Sequence, residues 1–144
     1  MTSRSCQRRR SFSNPVTLRI SEAAYVCFQA MRASARKAVT YAESGGDGWD
    51  REDLVVDAVA NCVSVVAELA KYQFPAEEKD TYPQLPWDDL ATAREFITHE
   101  YSRLDPDRLR ELVENALPEL IEAINDLRIP VERDDDEPSD LDEA

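Results

Sequence analysis

The chain of 144 residues has the length of a single domain, since domains cluster at roughly 100–150 residues. Its 42% hydrophobic and 33% charged residues, with only three glycines, favour a helical globule over a turn-rich β-sandwich. The net charge of −13 argues against non-specific coating of nucleic acid, because phosphates are held by basic side chains, but it is compatible with a small basic cleft. We expect a cytoplasmic protein without a membrane span or secretion signal, because no apolar run approaches the ~20 residues of a span.

Charge divides the chain into three segments. Residues 1–14 carry four arginines and no acid, which predicts a disordered basic arm. Residues 132–144 carry eight acids and one arginine, which predicts a disordered acidic tail. The segment 15–131 between them is predicted to be the folded helical domain.

Apolar residues spaced three and four apart predict helices through most of this domain. The first runs from about Thr17 to Glu43 and the second from about Arg51 to Tyr72, with the glycine-rich segment 44–48 between them. A loop rich in proline and charge, residues 74–86, precedes the third helix. This helix begins near Asp88 and continues to about Tyr101 or Arg103.

The last predicted helix begins after a break in the chain and continues to about Leu127. Asp105 is suited to be its N-cap and Pro106 its first residue. Pro118 falls inside this helix and is expected to kink it or to leave a carbonyl unpaired. Since no alternating strand pattern of useful length occurs, the predicted fold is all-α, an up-and-down bundle of four to five helices.

Most signatures of metal, cofactor and nucleophile chemistry are missing from the sequence. There is no phosphate-binding glycine loop, no paired CxxC and no His-Glu metal helix. Cys6, Cys27 and Cys62 fit neither a disulfide framework nor a zinc site, and the last two are expected to pack as small hydrophobes. We therefore expect no metal and no cofactor.

One stretch of the third helix combines residues that could carry chemistry: Arg94, His99 and Tyr101. On a regular helix Arg94 and His99 lie roughly 140° apart, whereas Arg94 and Tyr101 lie within roughly 20° of each other. Arg94 and His99 of one copy therefore do not point at one spot. Two copies related by a two-fold axis would bring two arginines and two histidines to one groove.

Such a groove suits metal-independent cleavage of RNA. Histidine can take the proton from a ribose 2′-hydroxyl or give one to the leaving oxygen, and arginine can hold the scissile phosphate. The alternative is structural. His99 would then be a dipole partner at the helix end, and Arg94 would form a surface ion pair with an acid such as Asp88 or Glu95.

The order of several motifs resembles the HepT-like ribonuclease family of the HEPN superfamily. That family is marked by Arg-x4-His-x-Tyr, preceded by Pro-Trp and followed by a helix with Leu-Pro-x-Leu. The resemblance covers about residues 17–127. The matching stretches are Pro86–Arg94, His99–Tyr101, Asp105–Pro106 and Leu117–Leu120, with Asp57–Val59, Asn61 and Val65–Lys71 upstream.

The resemblance implies a helical bundle that forms a homodimer with both motifs facing a shared cleft. It also implies a ribonuclease toxin paired with an MNT-type nucleotidyltransferase antitoxin, which transfers AMP to the motif tyrosine. Carried over by position, Arg94 is the phosphate ligand, His99 the acid/base and Tyr101 the modified residue.

Two features depart from the family pattern, one on the third helix and one on the second. Glu95 stands where a small polar residue usually follows the motif arginine, and an anion facing the cleft would repel phosphate. Val66 and Ala67 replace the usual Ile-Gly of the second helix. These departures leave open a catalytically inactive HEPN module that binds a nucleotidyltransferase partner or a nucleotide. A plain helical bundle without a ligand is the remaining alternative.

Overall fold

The computed structural model describes residues 20–99 and 104–130, with the side chains of Thr98 and His99 outside the described part. Within these residues the chain is all-α and has no strand, which confirms the predicted fold class. The predicted basic arm and acidic tail lie outside the described residues. The helices are α1 (Glu22–Ser44), α2 (Asp53–Glu68), α3 (Trp87–His99), α4 (Pro106–Glu111) and α5 (Leu117–Asp126).

Helix α1 begins later than the sequence indicates. Ser21 has an extended backbone, with φ −69° and ψ 159°, and its hydroxyl accepts a hydrogen bond from the Ala24 amide at 3.1 Å. The same hydroxyl donates to Glu78 at 3.0 Å, which ties the helix start to the segment before α3. The predicted start near Thr17 is therefore wrong, because Ser21 is the N-cap and Glu22 is the first residue of the helix.

Helix α2 is preceded by a 3₁₀ turn, Trp49–Arg51, and continues into a wide π turn, Leu69–Gln73. The amide of Phe74 donates to the carbonyl of Leu69, five residues back, at 2.8 Å. The predicted end of this helix at Tyr72 thus falls inside the π turn. Such turns occur frequently at functional sites because they displace side chains from their regular helical positions.

The last predicted helix is divided by a second π turn, Leu112–Ala116. Asp105 caps α4 as predicted, because its carboxylate accepts from the Asp107 amide at 3.0 Å and Pro106 follows at the first position. The amide of Leu117 donates to the Leu112 carbonyl, and Pro118 comes next. The π turn widens the helix immediately before the proline, whose ring would clash with a regular preceding turn.

Helix α1 packs most extensively against α2, while α3 packs on α2 and α5 on α1. An aromatic cluster lies at the entry to α3. The Phe28 ring is 5.0 Å from both Phe74 and Tyr82, and Phe74 is 4.9 Å from Trp87. The Trp87 indole donates to the Tyr82 carbonyl at 2.9 Å. These contacts fix the start of α3, on which Arg94 and His99 lie.

A buried arginine holds the C-terminal end of the described chain. The Arg32 guanidinium donates to the carbonyls of Ile129 and Pro130 and to the Asn125 side chain, each at 2.8 Å. Burial lowers the pKa of Arg32, and the nearby Arg36 lowers it further. Arg32 therefore fastens the segment after α5 to α1.

Cys27 and Cys62 are both buried and unpaired, as predicted for small core residues. Burial raises the pKa of both thiols. Among the described residues, no helix combines the length and apolar character needed to cross a membrane.

Candidate active site on the third helix

Arg94 lies in the middle of α3 and extends towards α2. Its Nε atom is 3.7 Å from Oε1 of Glu68, the last residue of α2. That distance is too long for a hydrogen bond, so the pair is only electrostatic. The Arg94 side chain is 20% exposed and that of Glu68 53% exposed, so solvent weakens their attraction.

The guanidinium of Arg94 lies over the ring of Tyr72, with 4.8 Å between its central carbon and the ring centroid. This distance is within the ~6 Å range in which the negative face of an aromatic ring attracts a cation. Tyr72 belongs to the π turn that follows α2 and remains 55% exposed. The Nζ atom of Lys71 is 5.8 Å from the same centroid. Two cations therefore lie beside one exposed ring.

The Nε–H of Arg94 is a buried donor, and no residue in the described ranges offers it a hydrogen bond. Burial of a charged donor without an acceptor is unfavourable, because the donor loses its hydrogen bond to water and no protein group replaces it. An anion that reached the guanidinium could accept from this atom. Arg94 thus has the capacity to bind a further anionic group, such as a phosphate.

His99 is the last residue of α3, and the helix runs unbroken from Arg94 to it. The regular geometry places their Cα atoms roughly 140° apart around the axis and about 7.5 Å apart along it. The His99 side chain and the whole of Tyr101 lie outside the described residues, so their predicted roles remain predictions. Glu95 is described and is exposed on α3.

The sequence did not identify as site residues the two neighbours of Arg94, Glu68 and Tyr72, or Lys71 beside the Tyr72 ring. Glu68 and Tyr72 are four residues apart, a spacing that places side chains on one helical face. This pairing of an acid and a tyrosine on one face was the only feature of the sequence that could have indicated a site there. Their proximity to Arg94 depends on how α2 packs against α3, which the spacing within one helix does not reveal.

A second arginine is stacked on an aromatic ring at the junction of α3 and α4. The guanidinium of Arg108 lies 4.5 Å from the ring centroid of Phe96. Both residues line a cavity of about 220 Å³ together with Asp89, Glu111 and Asn115. Phe96 is two residues from Arg94, roughly 200° around the helix, so this cavity lies on another side of α3.

Metal ligands are not clustered in the described segments. Among residues 20–99 and 104–130, no three His, Cys, Asp or Glu side chains come close enough together to hold an ion.

Comparison with protein families identifies a relationship that covers most of the described chain. The model of the family described as "Ribonuclease HepT-like" matches residues 31–127. The matched region begins within α1, includes Arg94 and His99, and ends just after α5. No solved structure matches the chain.

Several curated relatives come from Methanocaldococcus jannaschii. "Putative RNase MJ0127" is 28% identical over 79 residues, which cover 55% of this chain and 64% of that relative. "Putative RNase MJ1216" is 30% identical over 63 residues, covering 44% of this chain and 51% of the relative. The alignments therefore span between half and two thirds of the length of these relatives.

Proposed function

Because the chain belongs to the HepT-like ribonuclease family, we propose that it is a metal-independent RNA endonuclease that acts as a homodimer. Arg94 holds the scissile phosphate and His99 transfers protons. The observation that carries the proposal is the buried Nε–H of Arg94, which finds no hydrogen-bond acceptor among the described residues. Its guanidinium lies over the exposed ring of Tyr72 at 4.8 Å, and the Arg94 side chain as a whole remains 20% exposed.

The proposed reaction is an internal transfer within the RNA. The 2′-oxygen attacks the adjacent phosphorus as its proton passes to one histidine, and the P–O2′ bond forms. The P–O5′ bond breaks, and the leaving 5′-oxygen takes a proton from a second, protonated histidine. The products are a 2′,3′-cyclic phosphate and a free 5′-hydroxyl. Arg94 stabilises the charge that develops on the phosphate oxygens.

A dimer supplies the second histidine, because this sequence contains only one. On a regular helix, Arg94 and His99 of one copy point in different directions. In a two-fold dimer, Arg94 of one copy and His99 of the other can face the same groove. Leu54 and Val65 support a contact between copies. They are large apolar side chains exposed on α2, eleven residues apart and hence on nearly the same helical face.

The proposal extends to a toxin–antitoxin pair. An MNT-type nucleotidyltransferase would transfer AMP to Tyr101: the phenol oxygen bonds to the α-phosphorus of ATP, pyrophosphate leaves and the phenol proton passes to solvent. The negative charge of the added phosphate, on a residue of the same Arg-x4-His-x-Tyr motif, would repel RNA. The support for this step is the family membership and the motif spacing.

The experiment compares purified wild-type protein with Arg94→Ala and His99→Ala on single-stranded RNA in the presence of EDTA. We expect cleavage by the wild type alone, with 2′,3′-cyclic phosphate ends identified by mass spectrometry. Arg108→Ala is the matched control, since Arg108 also stacks on an aromatic ring but lies on another side of α3. Cleavage that survives both Arg94→Ala and His99→Ala would overturn the proposal.

The second candidate function is an inactive HEPN module that binds a nucleotidyltransferase partner or a nucleotide. The carboxylate of Glu68 favours it, because an acid 3.7 Å from Nε of Arg94 opposes the approach of phosphate. Glu95 next to Arg94 adds a further anion on the same helix. Folded wild-type dimer that leaves RNA intact and still binds its partner would support this candidate over the nuclease.

A further inference from the structure

Tyr72 presents a large aromatic surface beside the proposed phosphate ligand. It is 55% exposed, an unusual exposure for a tyrosine ring that is already in contact with Arg94 at 4.8 Å. The π turn Leu69–Gln73 places it there, at the end of α2 and facing α3. The guanidinium covers one part of the ring, while more than half of the surface of the residue remains exposed.

The charges around this ring suit a nucleotide. Lys71 is exposed, with its Nζ atom 5.8 Å from the ring centroid. Lys71 and Arg94 are therefore two cations that could bind backbone phosphates on either side of a stacked base. Glu68 is an anion paired with Arg94, and its contact of 3.7 Å is loose enough for a phosphate to replace it. An exposed aromatic ring between basic side chains is the arrangement by which proteins bind unpaired bases and their phosphates.

We propose that the ring of Tyr72 is a base-stacking subsite, on which an unpaired RNA base lies next to the phosphate held by Arg94. The inference rests on the proposed nuclease function and adds a substrate-contacting residue to it. Stacking requires a base released from its helix, so the subsite selects single-stranded or looped RNA over duplex. It reads the face of a base and not its edges, so it tolerates any base and sets no strict sequence.

The test measures binding separately from cleavage. RNA oligonucleotides with 2′-O-methyl riboses have no attacking hydroxyl, so their affinity for the dimer is measured by fluorescence anisotropy without turnover. A series of oligonucleotides carries one abasic ribose at each position in turn. We expect one position at which loss of the base weakens binding to the wild type about fivefold or more.

Variants of Tyr72 then complete a double-mutant cycle with that abasic position. Tyr72→Leu is expected to weaken binding of intact RNA by about the same factor and to show no further loss at the abasic position. Tyr72→Phe keeps the ring and should bind like the wild type. Val26→Ala is the matched control, because Val26 is 54% exposed and lies on α1. Light scattering confirms that each variant keeps the wild-type oligomeric state.

Kinetics separate stacking from a merely positioning role. Stacking predicts that Tyr72→Leu raises KM for cleavable RNA and changes kcat little, whereas loss of Arg94 alignment would lower kcat. Wild-type affinity and KM in Tyr72→Leu, alongside loss of cleavage in Arg94→Ala, would overturn the stacking subsite and leave the nuclease standing. A wild-type dimer that neither binds nor cleaves RNA would overturn both.

Discussion

The carboxylate of Glu68 and the guanidinium of Arg94 come from different helices and lie 3.7 Å apart without a hydrogen bond. Glu68 is half exposed, so water competes for its oxygens and the attraction between the pair is weak. The arginine is thus partly neutralised in the free protein, yet its Nε–H has no acceptor in the described part of the chain. A substrate phosphate that accepts from this nitrogen gains a contact that Glu68 does not make.

Removing the charge of Glu68 should therefore strengthen RNA binding. In Glu68→Gln we expect the Kd for a 2′-O-methyl RNA oligonucleotide to fall about twofold to threefold at low salt, as befits an exposed ion pair worth a few tenths of a kcal/mol. The effect should shrink as salt rises, because ions screen exposed charges. Fluorescence anisotropy titrations measure both.

The control is Glu114→Gln, another exposed acid paired with an arginine. Its carboxylate accepts from Arg110 at 2.9 Å, and both residues line a separate cavity beside the C-terminal end of α1. It should leave RNA affinity unchanged. Weaker binding in Glu68→Gln would contradict competition with phosphate and indicate that the carboxylate holds Arg94 in its active position.

The geometry around Arg94 also predicts that lysine cannot replace it. Lysine keeps the positive charge, but it has neither the planar fork that bonds two phosphate oxygens nor the flat group that lies on Tyr72. We expect Arg94→Lys to reduce kcat for RNA cleavage at least tenfold, measured in single-turnover reactions. Arg108→Lys, the equivalent change at the other stacked arginine, should have no effect on cleavage. Equal rates in Arg94→Lys and wild type would mean that only charge is needed.

The sequence predicted the elements of the fold that depend on local chemistry. Asp105 and Pro106 could be identified as the start of α4 because an N-cap acid followed by proline satisfies the helix end by itself. The three-and-four spacing of apolar residues similarly indicated α2, but not its buried face, because Leu54 and Val65 belong to that spacing and are exposed. The late start of α1 at Ser21 was missed, because the residues before it continue an apolar pattern and only the observed cap decides between them.

The parts that sequence could not predict depend on contacts between elements. Both π turns have the composition of ordinary helix, so nothing in their residues distinguishes them. The position of Arg94 beside Glu68 and Tyr72 follows from the packing of α3 on α2, whereas the alternative drawn from sequence sought an ion-pair partner on the same helix. Motif spacing thus proposed the arginine as a site residue but could not predict which side chains surround it.

Arg32 is predicted to be a major source of stability, although it lies outside the proposed site. Its side chain is buried and donates two hydrogen bonds of 2.8 Å to the segment that follows α5 and a third, also of 2.8 Å, to Asn125 in α5. Arg32→Ala removes all three bonds and leaves the carbonyl of the buried Ile129 without this donor, which by itself costs about 1–3 kcal/mol. We expect a loss of about 3 kcal/mol in the free energy of unfolding, measured by urea denaturation.

The control for this change is Arg36→Ala, one helical turn further along α1. Arg36 is exposed, and its replacement should alter stability by less than about 0.5 kcal/mol. Similar losses in the two variants would show that the hydrogen bonds of Arg32 to the C-terminal segment contribute little.

The buried phenol of Tyr82 should make the stability of the fold depend on pH in the alkaline range. Burial raises the pKa of its phenol, and the nearby carboxylate of Glu78 raises it further. Above pH about 10 the unfolded chain loses this proton first, so the folded state binds more protons than the unfolded state. The free energy of unfolding is therefore unaffected by Tyr82 below that pH and falls as the pH rises towards the folded pKa.

In Tyr82→Phe, which keeps the ring packed against Phe28, this decrease should be smaller. Urea denaturation of both proteins at pH values from about 8 to 11 measures the difference, which should grow above pH about 10. The buried thiols of Cys27 and Cys62 are present in both proteins, so their own titration cancels in the comparison. Parallel curves would mean that the phenol ionises as easily in the folded protein as in the unfolded chain.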